Sequence, residues 1–278
     1  MPAIIAHLPW WEAPTIAFFY GLIIGSFLNV VIYRFHTGKS LSGFSHCLSC
    51  GKRLKWFELF PLFSYLGLRG RCRGCGCSIP SRYFLVEFLT GVLFFLSATQ
   101  TTSVLELIYL LLLMSIFVVI VVYDIRHFII PDSLTILVTV VVTGWFLLRL
   151  SEGTPPTALL LDIAAALGGT AFFYGLWYVS KGKWIGFGDV KLSFPLGLIV
   201  GAPLVFTMVV YSFWIGAVIS VALVGLSKLQ RGKLCLRLGF RNLTIKSVVP
   251  FAPFLITGCL LTLFTHLNVL TLFTLLQP

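Results

Sequence analysis

The sequence predicts an all-α polytopic membrane protein: about eight transmembrane helices, with a small cytoplasmic four-cysteine zinc-binding domain between helices 1 and 2. Three observations carry this expectation. The 278 residues are 58% hydrophobic and only 10% charged, with a mean hydropathy of +1.01, whereas soluble domains carry about 25% charged residues. Apolar runs of about 20 residues, the length that crosses a bilayer as a helix, recur along the whole chain. The formal charge of +11 is concentrated in the loops between those runs, as the positive-inside rule describes. That distribution argues against nucleic acid as a partner and for membrane lipids.

In order, the spans are read as Ala13–Tyr33, Tyr83–Ala98, Val104–Tyr123, Ile129–Leu148, Thr157–Val179, Val190–Val200, Leu204–Leu226 and Val248–Leu276. Met1–Trp11 lacks the basic n-region of a cleaved signal peptide, so the first helix is read as retained. The sixth run is short, about 11 residues at 1.5 Å each. It either packs inside the bundle, shielded by protein, or joins the seventh as one re-entrant unit. The eighth is long, and its Pro250 and Pro253 point to a tilt or a kink. The domains that follow are 1–33, the first transmembrane helix; 34–82, the cytoplasmic domain; and 83–278, a membrane bundle that carries the acidic residues considered below.

With eight spans, one side of the membrane receives Arg34–Arg82, Asp124–Asp132, Ser180–Asp189 and Ser227–Ser247. Together with Lys191 these hold 19 of the 20 Lys and Arg residues, and only Arg149 falls on the other side. This asymmetry sets the N-terminus outside the cytoplasm. It also gathers Asp124, Asp132 and Asp189 at the cytoplasmic face. Helix ends on one face can converge, and convergence is the precondition for a shared site.

Within 34–82, Cys47-Leu48-Ser49-Cys50 and Cys72-Arg73-Gly74-Cys75 form two C-x-x-C knuckles separated by 21 residues. Each knuckle can turn two thiolates toward one ion, and two knuckles complete a tetrahedral site. Zinc held by Cys47, Cys50, Cys72 and Cys75 is the leading reading, structural because four cysteines leave no open position. A pair of disulfides is the plainer alternative, disfavoured by a reducing cytoplasm. An iron–sulfur cluster is the third. Cys77 breaks the pattern and is read as a spectator; Cys235 and Cys259 are read as ordinary thiols.

The remaining chemistry rests on acids. Asp189 lies in Gly186-Phe187-Gly188-Asp189-Val190-Lys191, where an apolar run meets water, and Asp124 ends another run in Tyr123-Asp124-Ile125-Arg126. An ionised Asp inside a membrane costs roughly 2.5–3.5 kcal/mol even on a lenient scale, so two of them call for a reason. Two close carboxylates can share one proton, since like charges in contact cannot both ionise. One then activates water while the other protonates a leaving group, which is what cutting a peptide bond without a metal requires. Gly186 and Gly188 are expected to give unusual backbone geometry and room for a substrate strand. The bland alternative is a pair of end-caps, Asp124 on Arg126 and Asp189 on Lys191. Asp132, after Pro131, is expected to cap the fourth span. Asp162 and Glu106 belong to the opposite face. Glu87, about one turn into the second span, pairs with Arg82 or Arg34 or else lines a polar route for substrate. Asn29 marks a close helix contact. His36, His46 and His127 have no ligand spacing, and the basic stretch Gln230–Lys246 suits anionic lipid heads.

Taken together, several blocks resemble one family. They are Gly25-Ser26-Phe27-Leu28-Asn29-Val30-Val31-Ile32-Tyr33-Arg34, the four knuckle cysteines, Ser81-Arg82-Tyr83-Phe84-Leu85-Val86-Glu87, Asp124 with Ile130-Pro131-Asp132, the Gly-x-Gly-Asp element, and Pro250-Phe251-Ala252-Pro253-Phe254. The chain is similar to the bacterial type IV prepilin leader peptidases, also called prepilin peptidase/N-methyltransferases, over nearly its whole length. One departure is Ala252, where the family usually has glycine; it touches packing and leaves the chemistry intact. The resemblance implies a multi-pass enzyme of the bacterial inner membrane. Such enzymes cut type IV prepilins or type II secretion pseudopilins after the glycine that ends a short basic leader, at the cytoplasmic face. They then methylate the new N-terminal residue with S-adenosyl-L-methionine. It also implies Asp124 and Asp189 as the catalytic pair and Cys47, Cys50, Cys72 and Cys75 as zinc ligands. No motif carries the methyl-donor site, and no glycine-rich Rossmann-type loop is present.

Two other readings remain. Presenilin-like and signal-peptide-peptidase-like proteases share the Gly-x-Gly-Asp element and a Tyr-Asp pair, but lack a cysteine domain at this position. A non-enzymatic zinc-bearing transporter or sensor would place its ionisable groups near the bilayer midplane, whereas here they gather at one face.

Overall fold

Inside a membrane an apolar chain satisfies its backbone amides either as helices or as a closed barrel. The computed structural model takes the first course: it holds helices and no strand among the residues it describes, which are 12–35, 37, 40, 42–101, 103–229, 249–266 and 268–269. Among the described residues, six stretches are long and apolar enough to cross a membrane. The all-helical expectation is met. The chain divides into two compact units, Met1–Val122 and Tyr123–Pro278.

The first unit contains α1 (Glu12–Arg34), a short α2 (Phe63–Gly67), α3 (Arg82–Gln100) and most of α4 (Val104–His127). Helices α1 and α3 touch backbone to backbone because small residues face each other. A Cβ on Gly21 would lie 2.8 Å from the Gly91 Cα, and one on Gly25 would lie 2.8 Å from the Glu87 Cα. Without a hydrophobic drive between helices in lipid, such close contact is what holds a helix pair together. Asn29 adds the polar link expected of it, its Nδ2 donating to the Tyr83 carbonyl at 3.0 Å.

The second unit holds the end of α4, then α5 (Asp132–Ser151), α6 (Pro156–Ser180), α7 (Phe187–Val200), α8 (Val205–Leu229) and α9 (Ala252–Thr265). The short sixth span is α7, which begins three residues earlier than expected. Nine of its 14 residues are buried, so it packs inside the unit rather than facing lipid. Two contacts seat it on α6: Ser193 Oγ meets Thr170 Oγ1 at 3.3 Å, and a Cβ on Gly197 would lie 2.9 Å from the Ala166 Cα. Because backbone blocks that space, Gly197→Leu is expected to destabilise the protein by about 1–3 kcal/mol, read as a lowered melting temperature at unchanged metal content.

At its far end α7 stops at Gly201, whose φ of 76° is left-handed and suits glycine. Asp162 closes that end. Its Oδ1 accepts the Ala202 N–H at 2.8 Å, and its Oδ2 lies 3.8 Å from Arg149. Arg149, the one basic residue expected on the other face, therefore meets the acid expected there with it.

The eighth span differs from expectation. Its helix, α9, is 14 residues long and ends at His266, which is left-handed with φ 51°. Pro253 falls in its first turn, where the missing N–H has no intrahelical partner to lose, so it starts the helix and does not kink it. The proline inside a helix is Pro195, in α7. Residues 270–278, Cys235, His36 and the basic stretch Gln230–Lys246 lie outside the described residues.

Candidate functional site

The two C-x-x-C knuckles fold as near copies of each other. Cys47 N–H donates to the Lys52 carbonyl at 2.9 Å, and Cys72 N–H donates to the Cys77 carbonyl at 2.9 Å. Each is closed by a left-handed glycine, Gly51 (φ 70°) and Gly76 (φ 69°). The sulfurs of Cys47, Cys50, Cys72 and Cys75 all lie within 4.8 Å of one another. A tetrahedral zinc with Zn–S of about 2.3 Å needs sulfurs about 3.8 Å apart, and Cys47 and Cys75 stand at 3.9 Å. Donor type and spacing therefore fit a four-thiolate metal centre. At Cys47 and Cys72 local electrostatics favour the ligating thiolate form. The N–H groups of Cys50 and Ser49 bring the Cys47 thiol down to about 6, and those of Cys75 and Gly74 lower Cys72 in the same way. The six described cysteines are free thiols.

Cys77 is closer than a spectator would be. Its sulfur lies 2.9 Å from that of Cys75 and 3.7 Å from that of Cys47, and it pushes the Cys75 thiol upward. It holds in the second knuckle the place that Lys52 holds in the first.

In the second unit the two aspartates come together. Asp124 sits in the last turn of α4, and Asp189 is the third residue of α7. They are 4% and 6% exposed and close enough for the charge on one to act on the other. Asp189 is held by a helix N-terminus, and Asp124 lies near another, where backbone N–H groups lack intrahelical partners. Gly186 N–H, before α7, donates to Asp189 Oδ2 at 3.2 Å. The N–H of Ala252, the first residue of α9, is directed at the Asp124 carboxylate. The other oxygens, Asp124 Oδ2 and Asp189 Oδ1, are buried and have no hydrogen-bond partner among the described residues. Buried polar atoms are nearly always paired. These two carboxylate oxygens are exceptions to that rule.

Several expectations about the neighbours are corrected. Lys191 pairs with Asp132 at 2.8 Å, not with Asp189. Asp132 therefore does not cap α5; Pro131 occupies the cap position and the Asp132 side chain reaches across to α7 instead. Arg126 is exposed and forms no ion pair with Asp124 among the described residues. The glycines serve sterics rather than special backbone geometry. Gly186 is extended, with φ −71°, which any residue adopts. A Cβ there would stand 3.2 Å from Asp189 Oδ2, and a Cβ on Gly188 would stand 3.1 Å from the Ile130 Cβ. The Ala252 amide escaped the sequence reading altogether. The only signal for it was the proline-flanked start Pro250-Phe251-Ala252-Pro253, a helix N-terminus by its chemistry.

Glu87, in the first unit, pairs with neither Arg82 nor Arg34. It accepts the Leu62 N–H at 2.9 Å, tying the cysteine domain to α3. Arg34 donates instead to the carbonyls of Ser40 and Ser42.

Fold and site define a class: a multi-pass helical membrane protein with a four-cysteine cluster able to hold a metal ion in one unit and two buried carboxylates in the other. Residues 19–101 match the model of the Bacterial Peptidase A24 N-terminal domain, and residues 111–221 match that of the Type IV leader peptidase family. A prepilin leader peptidase/N-methyltransferase of Aeromonas salmonicida is 30% identical over 282 residues, covering 90% of each chain. One of Myxococcus xanthus is 44% identical over 135 residues, 47% of this chain and 40% of the relative. A type 4 prepilin-like proteins leader peptide-processing enzyme of Escherichia coli is 31% identical, over 68% of this chain and 77% of its own. No solved structure matches. This chain belongs to the type IV leader peptidase family.

Proposed function

We propose that this protein cuts the short basic leader of type IV prepilins or type II secretion pseudopilins after a glycine, at the cytoplasmic face of the bacterial inner membrane, and then methylates the new N-terminal residue with S-adenosyl-L-methionine. The observation that carries the cleavage half is the meeting of Asp124 and Asp189 with one orphaned oxygen on each. One carboxylate takes a proton from water as the water oxygen attacks the scissile carbonyl carbon. The other gives its proton to the developing oxyanion; as the C–N bond breaks, the first carboxyl passes the proton it took from water to the leaving nitrogen and the gem-diol hydroxyl returns its proton to the second. The amide of Gly186 fixes the Asp189 side chain during these transfers. Burial keeps bulk water out and strengthens each charge interaction.

In methylation, the freed amine attacks the donor's methyl carbon. The N–C bond forms as the S–C bond breaks, the electron pair stays on sulfur as a neutral thioether, and the amine proton leaves to water. Zinc in the cysteine tetrad is structural in this reading, with all four positions filled by the chain. Purified protein incubated with a prepilin and S-adenosylmethionine should yield a mature chain whose N-terminal residue is one methyl group heavier by mass spectrometry. An uncut prepilin would overturn the peptidase reading; a cut but unmethylated product would overturn the methyltransferase half.

A further inference from the structure

Between Lys55 and Arg69 the cysteine domain carries 13 residues whose only charged side chain is Glu58. That carboxylate is buried, accepting the Lys55 N–H at 2.8 Å and a bond from Lys52 Nζ at 3.3 Å. The segment folds as a 3₁₀ turn, Trp56–Glu58, followed by α2. One side of it, with Pro61, Ser64, Tyr65 and Leu68, lines a cavity of the first unit. The other side is apolar and uncovered: Trp56 is 79% exposed, and Phe60, Phe63 and Leu66 are each more than half exposed. The Phe60 and Phe63 rings touch, with centroids 5.6 Å apart. Apolar side chains gathered in the open in this way mark a binding or membrane surface. Contacts with α3 set its depth. Leu62 N–H donates to Glu87 at 2.9 Å, and the Tyr65 ring lies 5.4 Å from that of Phe84. Helix α3 is membrane-capable and starts at Arg82. Glu87 is five residues further on, about 7.5 Å at 1.5 Å per residue. An interfacial helix sinks its apolar face about 5–10 Å into a leaflet.

We infer that Trp56–Leu68 is an interfacial anchor, with Trp56, Phe60, Phe63 and Leu66 among the acyl chains and its basic flanks on anionic lipid headgroups. Charge selects this occupant. Residues 34–82 hold nine Lys and Arg against one acid, the buried Glu58. Lys55 and Arg73 lie over the Phe57 ring at 5.9 and 5.4 Å, and Arg69, exposed, follows the segment directly. Aromatic rings at headgroup level with Lys and Arg reaching the phosphates are the composition of a membrane interface. A second copy placed face to face would set like charges against each other, and the same rim repels the basic leader proposed above. Lipid is also always at hand, because the domain runs at one end from α1, which stops at Arg34, and at the other into α3. The cysteine domain is thereby held on the bilayer instead of standing off it in water.

The test uses the full-length protein in vesicles of phosphatidylethanolamine and phosphatidylglycerol, with and without bromine on the acyl chains. Tryptophan emission of the wild type minus that of Trp56→Phe, a conservative change at an exposed site, isolates Trp56. That difference is expected to lose at least about half its intensity on bromination and to resist aqueous iodide. Independently, p-benzoylphenylalanine placed at position 60 or 63 and irradiated in the same vesicles should form lipid adducts as its main product, whether or not prepilin is added. Exchanging phosphatidylglycerol for phosphatidylcholine should lower the adduct yield at least about twofold; an equal yield overturns the headgroup contacts. Quenching of Trp56 by iodide and not by bromine puts the segment in water and overturns the anchor. Adducts to a second copy of the chain, or to added prepilin in place of lipid, give the patch to that partner and overturn it equally.

Discussion

Asp189→Asn and Asp124→Asn proteins are each expected to cleave prepilin at least about 10³-fold more slowly than the wild type, with melting temperature and zinc content unchanged. Asparagine keeps the shape of the side chain and an oxygen to accept the Gly186 or Ala252 amide, so local structure survives. It cannot take up or release a proton. Substitution also leaves a single ionisable group in a buried site that held two, which relieves repulsion and protects against unfolding. A loss of cleavage in a protein that still melts normally thus separates chemistry from folding. Either variant retaining near wild-type cleavage would reject the pair. The contrast is Lys191→Ala, which breaks an ion pair with the largely exposed Asp132 side chain; exposed pairs contribute roughly 0–1 kcal/mol, far less than loss of an acid–base group.

Cys47→Ser is the other large effect. Serine lacks the soft thiolate that zinc selects, and Cys47 joins the two knuckles, its sulfur standing 3.9 Å from that of Cys75. Bound zinc by elemental analysis is expected to fall from about one per chain to well below half, and the segment between α1 and α3 should become protease-sensitive. Structural zinc supplies folding energy directly where little apolar core exists, and exposed Trp56, Phe60 and Phe63 show how little apolar surface this domain buries. Cys77→Ser is the discriminating companion. Its backbone carbonyl, not its sulfur, closes the second knuckle, so zinc should stay bound. Unchanged zinc in Cys47→Ser would reject the tetrad.

How much of this was legible depended on the range of the interaction. Span positions followed from apolar runs ended by charge, because desolvation acts residue by residue. The knuckles were legible because a C-x-x-C turn is local and its ligands fix their own spacing. The start of α7 was misjudged because Gly186 and Asp189 read as a loop, although an acid three residues past the cap is itself a helix-start signal. The end of α9 was invisible because hydropathy does not register a left-handed residue such as His266 within an apolar stretch. Pairings across the fold were out of reach. Lys191 could meet Asp189 or Asp132 with equal plausibility in the sequence, and only the placement of α5 beside α7 decides for Asp132. The Ala252 amide and the Leu62–Glu87 bond are backbone contacts made by tertiary structure, and a side-chain pattern does not encode them.

The central claim is that Asp124 and Asp189 act as one unit on one bond, and a double-mutant cycle on cleavage rate under single-turnover conditions tests it directly. If the pair handles the protons together, Asp124→Asn combined with Asp189→Asn should be no slower than the slower single variant, because either change alone already disables the unit. Losses that multiply, each aspartate costing the same factor whether or not the other is present, would show two independent carboxylates and contradict the account.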